Sequence, residues 1–401
     1  MELRYGDRSL PLEIDQRFDT EILTPQVVAA HPDLPGTIHR LLENPVDSVS
    51  LSQHLSQVET AAIVVNSEQD IEMNMSLLDV LVDILNASIT SPEDVRILLP
   101  PPIESGPKSH DVDVLLGKQT YHRHQVLSHN PNDNESLCYI GDTSIHSTPV
   151  LINKQFAEAD IKIGIGTIRC NGFVGATGGR MSVIPHVGPF KTDTAACIDM
   201  DEISDLAGLD FIVNMIPDHQ NNMASIVAGA PRAAWLQGLD VCRTVTEVTI
   251  RRRADIAVVS TGGGLSDATL DLAVDSFFAG YNATEYGGSI LLIAECAEGP
   301  GAPGFLRAVS DCVSPSEVEL LAESSFEPGM ERAHLFWKVL SSRNLIICSR
   351  LRESLVSEHF HCLAVRDPQE GFELARQQMV SSPRIAVIPE GNKTLPVPRT
   401  R

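Results

Sequence analysis

Short runs of apolar and β-branched residues recur along the chain at 61–65, 95–99, 161–165, 211–216, 256–259, 289–293, 344–348 and 384–388. Runs of this length without polar alternation predict strands buried on both faces. Between several of them, at 75–85, 232–241 and 368–379, apolar residues return every three or four positions, which predicts helices. Alternation of the two kinds of segment defines an α/β class, with mostly parallel sheets covered by helices. A chain of 401 residues is long enough for two such units. The polar run Arg251–Arg253 before the run at 256–259 places a boundary near 247: an N-terminal unit at 1–247, a C-terminal unit at 248–390 and a flexible tail at 391–401. No internal repeat or low-complexity tract is visible.

Open parallel sheets gather ligands outside the carboxyl ends of their strands, so the strand ends are where chemistry is expected. The run at 61–65 is followed by NSEQDIE, which holds Asp70, and the run at 95–99 by PPPIESGPK, which holds Glu104. The run at 161–165 is followed by a long stretch rich in glycine and proline, GTIRCNGFVGATGGRMSVIPHVGPFKT. Within it, Thr177, Gly178 and Gly179 before Arg180 suggest backbone amides turned towards an anion, with Arg180 assisting; a tight strand-to-helix turn is the plainer alternative. The run at 256–259 is followed by TGGGLSD, which holds Asp267 and fits neither dinucleotide nor phosphate-loop spacing.

Composition narrows the picture. A net charge of −23 repels nucleic acid and anionic lipid, so neither is expected as a partner. No apolar run approaches the length of a membrane span, and the N-terminus lacks the pattern of a secretory signal, so a cytoplasmic location is expected. The 8 cysteines have no metal-ligand spacing, and most read as buried reduced thiols. The histidines at 122, 124 and 129 read as a solvated loop, because no Cys or carboxylate completes a metal motif beside them.

Over almost its whole length the chain resembles the nickel-pincer lactate racemase family. The resemblance rests on ELRYGDRSLPLEI, ENPVDSVSLSQ, HRHQVLSHNPNDNESLCYIGDTSIHSTPVLINKQFAEADIKIGIG, GFVGATGGRMSVIP, VVSTGGGLSDATLDLAVDSFFAG and EYGGSILLIAECAEGPGAPGF, in that order. It implies two α/β domains with an active-site cleft between them. It also implies a nickel ion held by a pyridinium nucleotide tethered to a lysine, an axial histidine, two histidines that exchange a proton, and an arginine for a substrate carboxylate. At the corresponding positions this chain has Met181 for the tethering lysine, Cys197 for the axial histidine, Asn171 and Glu104 for the proton-exchanging histidines, and Asp70 for the arginine. Asp271 and Asp275 replace a tyrosine and a lysine of the family. The nickel nucleotide is therefore not expected as a cofactor, and no metal site is expected.

The reading favoured by the sequence is an isomerase or lyase that needs no cofactor and acts by acid–base chemistry on a small polar molecule in the cleft. Glu104, Asp70, Arg180 and Lys191 are its expected catalytic groups. Asn171, Thr177, Gly178, Gly179, Asp267 and Asp271 are its expected substrate contacts. A non-catalytic binding or regulatory relative is the alternative, and a nickel-dependent racemase of 2-hydroxy acids with altered ligands is a third. The sequence leaves room for a homo-oligomer.

Overall fold

The computed structural model describes residues 1–28, 33–65, 71–89, 91–99, 123–130, 133–171, 175–183, 194–379 and 381–399, without the side chains of 71–73, 171 and 194–198. The chain opens with the antiparallel hairpin β1 (Glu2–Tyr5) and β2 (Arg8–Pro11), followed by β3 (Asp19–Ile22). An N-terminal unit follows: α1 (Leu34–Glu43), α2 (Leu51–His54), β4 (Ala61–Val65), α3 (Ile71–Ser88), β5 (Val95–Leu99), β6 (Gln125–Ser128), the hairpin β7 (Leu137–Asp142) and β8 (Pro149–Asn153), α4 (Lys154–Ala157), β9 (Ile161–Thr167), the short pair β10 (Cys170–Asn171) and β11 (Gly175–Ala176), α5 (Thr194–Ala207), β12 (Phe211–Pro217), β13 (Met223–Gly229) and α6 (Pro231–Thr246). The C-terminal unit contains β14 (Glu247–Ile250), β15 (Ala254–Ser260), α7 (Leu270–Ala283), β16 (Thr284–Ile293), α8 (Pro303–Asp311), α9 (Pro315–Ser324), α10 (Met330–Leu340), β17 (Asn344–Cys348), α11 (Glu353–Glu358), β18 (Leu363–Val365), α12 (Pro368–Gln377), β19 (Arg384–Ile388) and β20 (Leu395–Pro398).

Each unit is built on a six-stranded sheet, in the orders β13-β12-β9-β4-β5-β6 and β18-β17-β16-β15-β19-β3. All neighbours run parallel except the edge strand β13, which is antiparallel to β12. The expected α/β class is thus the observed one. Each predicted strand forms because both of its faces are covered. In the first sheet Ile63, Ile97, Ile163 and Val213 pack under α1 and α3, while Ala62, Val64, Leu98 and Ile212 pack on the other side with Phe156 and Trp235. In the second, Val259, Ile290 and Ile347 face the helices α7 to α10, and Val258, Leu291 and Ile346 face α12 and the opening hairpin. Helix α12 begins where its period predicts, since Asp367 accepts a hydrogen bond from the Gln369 amide and Pro368 occupies the first turn.

The expected boundaries need two corrections. Residues 1–22 do not belong to the N-terminal unit: β3 pairs with β19, and Leu3, Tyr5 and Leu12 lie in the core of the second sheet. Residues 391–398 are not a frayed tail, because 391–393 form a 3₁₀ turn and β20 pairs in parallel with β14. Both chain ends are thereby stitched across the C-terminal unit. The histidine loop also differs from expectation. His129 is buried, with Asn153 Nδ2 3.4 Å from its Nδ1 and its backbone amide donating to Leu99, because the segment continues β6. His124 Nε2 lies 3.0 Å from Asn86 Oδ1, and His122 is outside the described residues.

Candidate active site

Strands β9 and β12 are neighbours in parallel register, so their carboxyl ends deliver Arg169, Cys170, Asp218 and His219 to one edge of the sheet. Facing them across the junction of the units are Asp275, Phe278 and Ala279 of α7 and the turn at 391–393. Between these walls is a cavity of about 350 Å³. It lies where the rule for parallel sheets places a ligand.

Asp275 is the acidic group of this cavity whose carboxylate is least constrained. No group among the described residues hydrogen-bonds to it, and burial, then the nearby Asp271 carboxylate, raise its pKa against the opposing charge of Arg332. Asp275 therefore keeps its proton to higher pH than an ordinary carboxyl group. His219 is 5% exposed, and its buried Nδ1 has no hydrogen-bond partner among the described residues. An unsatisfied buried polar atom of this kind costs roughly 1–3 kcal/mol and calls for a functional explanation. Arg169 and Lys393 bring positive charge. Arg169 Nη2 donates to Asn221 Oδ1 at 3.2 Å, and Lys393 Nζ donates to the His219 carbonyl at 2.8 Å. Asp218 is spoken for: it accepts hydrogen bonds from the backbone amides of Val28, Gln220 and Asn222 and from the Asn222 side chain. Although burial alone would raise its pKa, those bonds together lower it.

In the first glycine-rich turn a key amide is already engaged. Gly178 and Gly179, at φ +80° and +53°, open a four-residue 3₁₀ turn, and the Gly179 amide donates to Asn214 Oδ1 at 2.8 Å. The amide expected to meet an anion is thus consumed by a buried side chain of β12. Thr177 is also structural. Its hydroxyl donates to the Thr167 carbonyl at 2.9 Å and accepts from the Arg169 amide at 2.9 Å, while its carbonyl accepts from Trp235 Nε1. Arg180 lies over the Trp235 ring, 4.6 Å from its centroid, and pairs with Asp201 at 3.1 Å. Asp267 accepts from the amides of Gly6 and Glu295, and Asp271 from the Thr269 hydroxyl and from the amides of Leu272 and Ala302. Both carboxylates tie loops together, so neither is available as the expected substrate contact.

Asp70, Glu104 and Lys191 lie outside the described residues, as do the side chains of Asn171 and Cys197. Of the expected catalytic groups, only Arg180 is placed, and it does not line the cavity. Arg169, His219 and Lys393 were missed. Two of them follow predicted strands, so the strand-end rule applied to IRC after 161–165 and to PDHQNN after 211–216 would have found them. Lys393 was hidden in the supposed tail.

A two-domain α/β protein with a cavity of charged and apolar side chains where its domains meet is the class that fold and site define. Comparison with known proteins gives the class a family. The Lactate racemase N-terminal domain model matches residues 5–196 and the Lactate racemase C-terminal domain model matches 249–395, so the chain belongs to the lactate racemase family. The lactate racemase of Thermoanaerobacterium thermosaccharolyticum is 25% identical, with 98% of this chain and 97% of that protein covered. That of Lactiplantibacillus plantarum is 24% identical, with 98% of each covered. The structure of the T. thermosaccharolyticum apoprotein matches with a TM-score of 0.87 at 23% identity, over 100% of this chain and 99% of that one. A Thermotoga maritima protein matches with a TM-score of 0.67 at 13% identity, over 93% and 100%. Among the described residues no helix is long and apolar enough to cross a membrane.

Proposed function

We propose that this member of the lactate racemase family is an isomerase or lyase that moves protons on a small polar, anionic molecule in the interdomain cavity, without a tethered nickel nucleotide. The observation that carries the reading is Asp275, a carboxylate with a raised pKa and no hydrogen-bond partner among the described residues, which lines a cavity shared with His219, Arg169 and Lys393. Asp275 takes or returns the proton, His219 is the second proton carrier, and Arg169 and Lys393 neutralise the anionic group of the ligand.

The residues present do not fit the family's tethered cofactor. Met181, in the 3₁₀ turn where the family resemblance puts the tethering lysine, has a thioether that cannot make the covalent bond of a lysine amine. Asp275 also puts a carboxylate where the family has a lysine, reversing the charge offered to whatever occupies the cleft.

The test is exchange of solvent deuterium into a panel of small hydroxy and keto acids, using protein co-expressed with the enzymes that make the nickel nucleotide. An unmodified intact mass, with exchange lowered about 100-fold or more by Asp275→Asn and by His219→Gln, is the expected result. Exchange should rise with pH through the raised pKa of Asp275, since the base form abstracts the proton. Exchange indifferent to Asp275→Asn would sink the assignment of the base. Protein carrying the nucleotide mass and one nickel would overturn cofactor-free catalysis. A protein that binds panel members and exchanges none would be a binding relative instead.

A further inference from the structure

Cys170 and Cys242 stand apart from the other described thiols. Cys170 is half-buried on β10 and lines the cavity, whereas Cys242 is fully buried on α6 behind it. Their sulfurs are 3.7 Å apart, and Thr246 Oγ1 lies 3.1 Å from Cys170 Sγ. The two residues are 72 positions apart in sequence, and the fold brings them together through the packing of α6 against the β10–β11 pair. Nothing in the proton chemistry proposed for the cavity uses either sulfur. We propose that Cys170 and Cys242 form a reversible disulfide, with Cys170 as the thiol oxidised by peroxide arriving through the cavity and Cys242 as the resolving thiol.

The geometry provides each part of that reaction. Peroxide reaches Cys170 from the cavity, and the Cys242 sulfur, shielded from solvent, is 3.7 Å from it; a bond requires the sulfurs to close to about 2.05 Å. The Cys170 thiolate attacks one oxygen of hydrogen peroxide, the O–O bond breaks, and a sulfenic acid and hydroxide form. The Cys242 sulfur then attacks the Cys170 sulfur as its own proton leaves, the S–O bond breaks, and hydroxide departs to be protonated to water. Two thiols and one peroxide become one disulfide and two waters. The hydrogen bond from the Cys242 thiol, foremost, and the contact with Thr246 hold the Cys170 pKa below that of an ordinary thiol despite burial. The same sulfur–sulfur contact, with burial, pushes Cys242 the other way. Attack falls to Cys170 because it lines the cavity, and resolution to Cys242 because it is buried behind it. Arg243 assists ionisation of Cys170 and Glu247 opposes it, both from the end of α6 and its exit.

Tryptic digestion isolates the pair, because Cys170 falls in the peptide 170–180 and Cys242 in the peptide 233–243, each with a single cysteine. Full-length protein is treated with stoichiometric hydrogen peroxide, alkylated and digested without reductant. The expected result is a cross-linked 170–180/233–243 species that dithiothreitol dissolves, with the remaining cysteines still alkylated. In Cys242→Ser, Cys170 should stop at a sulfenic acid that dimedone traps; in Cys170→Ser, Cys242 should stay alkylatable at the same dose. Both peptides recovered fully alkylated after peroxide, or a cross-link between other cysteines, would overturn the proposal. Should Cys242→Ser fail to fold, the wild-type cross-link and Cys170→Ser decide it alone. The readout is covalent and independent of turnover, so it stands whether or not the acid–base reading of the cavity survives.

Discussion

The turn after β9 and the turn after β15 share a backbone and differ in almost everything attached to it. In each, a first glycine at φ +80° precedes a second with φ above +50°, which opens a 3₁₀ turn of four residues, Gly179–Ser182 in one unit and Gly264–Asp267 in the other. In the N-terminal turn the second glycine is pressed against the Trp235 ring, and Thr177 fixes the backbone leading to Arg169. In the C-terminal turn the second glycine faces open space, Asp267 holds the opening hairpin through Gly6, and the Ser266 hydroxyl accepts a hydrogen bond from Asn392 at 2.7 Å. Each turn therefore braces one wall of the cavity, Arg169 on one side and the 391–393 segment on the other. The same local geometry has been fastened once by aromatic packing and once by a buried carboxylate.

The largest effect should come from Gly179→Ala. Its backbone is left-handed, and a Cβ there would sit 2.5 Å from the Trp235 ring and 2.7 Å from the Trp235 Cβ. Left-handed strain of about 1–2 kcal/mol and overpacking of about 1–3 kcal/mol add to an expected loss near 3 kcal/mol in urea denaturation. A loss below about 1 kcal/mol would show that Trp235 is not a fixed wall.

Asp267→Ala comes next, at about 2 kcal/mol, since it strands the part-buried amides of Gly6 and Glu295. Its pH dependence has a definite sign. Burial, with help from the Glu295 charge, raises the Asp267 pKa in the fold despite its hydrogen bonds to Gly6, Glu295 and Thr261. Stability contributed by a group with a raised pKa is complete below its unfolded value and is lost as pH rises through the folded one. The gap between wild type and Asp267→Ala should accordingly be widest below the ordinary pKa of an aspartate, about 3.9, and narrow as pH rises through the raised value of the fold. Hydrogen exchange of the Leu3 and Tyr5 amides should quicken in the variant, and a hairpin that stays protected would mean that Asp267 does not hold it.

These turns also show what the sequence makes legible. Buried strands such as Ala61–Val65 and Asn344–Cys348 announce themselves, because a strand covered on both faces has no polar position to interrupt it. The glycines at 178–179 and 262–264 were equally visible, but their duties were not, since the partner of the Gly179 amide is Asn214, 35 residues away. One polar residue inside the apolar run FIVNMIP was the available signal. The cavity was harder still, for its walls come from 169–170, 217–219, 275 and 391–395, and only the packing of one unit on the other makes them neighbours. The opening hairpin escaped assignment to the second unit for the same reason. Nothing local to residues 1–22 reports that β3 pairs with β19.

Arg180→Ala tests the aromatic side of the comparison on a smaller scale. The side chain loses a stack on Trp235 and a half-exposed pair with Asp201, together about 1–1.5 kcal/mol, and the pair's share should fade in high salt while the stacking share persists. The smallest effect is expected from Gly264→Ala. Its backbone is as left-handed as that of Gly179, yet an added Cβ meets nothing within 4 Å, so only the conformational strain of about 1 kcal/mol remains. Measured beside Gly179→Ala, it separates what the shared backbone costs from what the surroundings add. A gap of about 2 kcal/mol between the two alanine variants is the overpacking against Trp235. Equal losses would mean that strain accounts for both, and that the two turns differ less in their fastening than their neighbours imply.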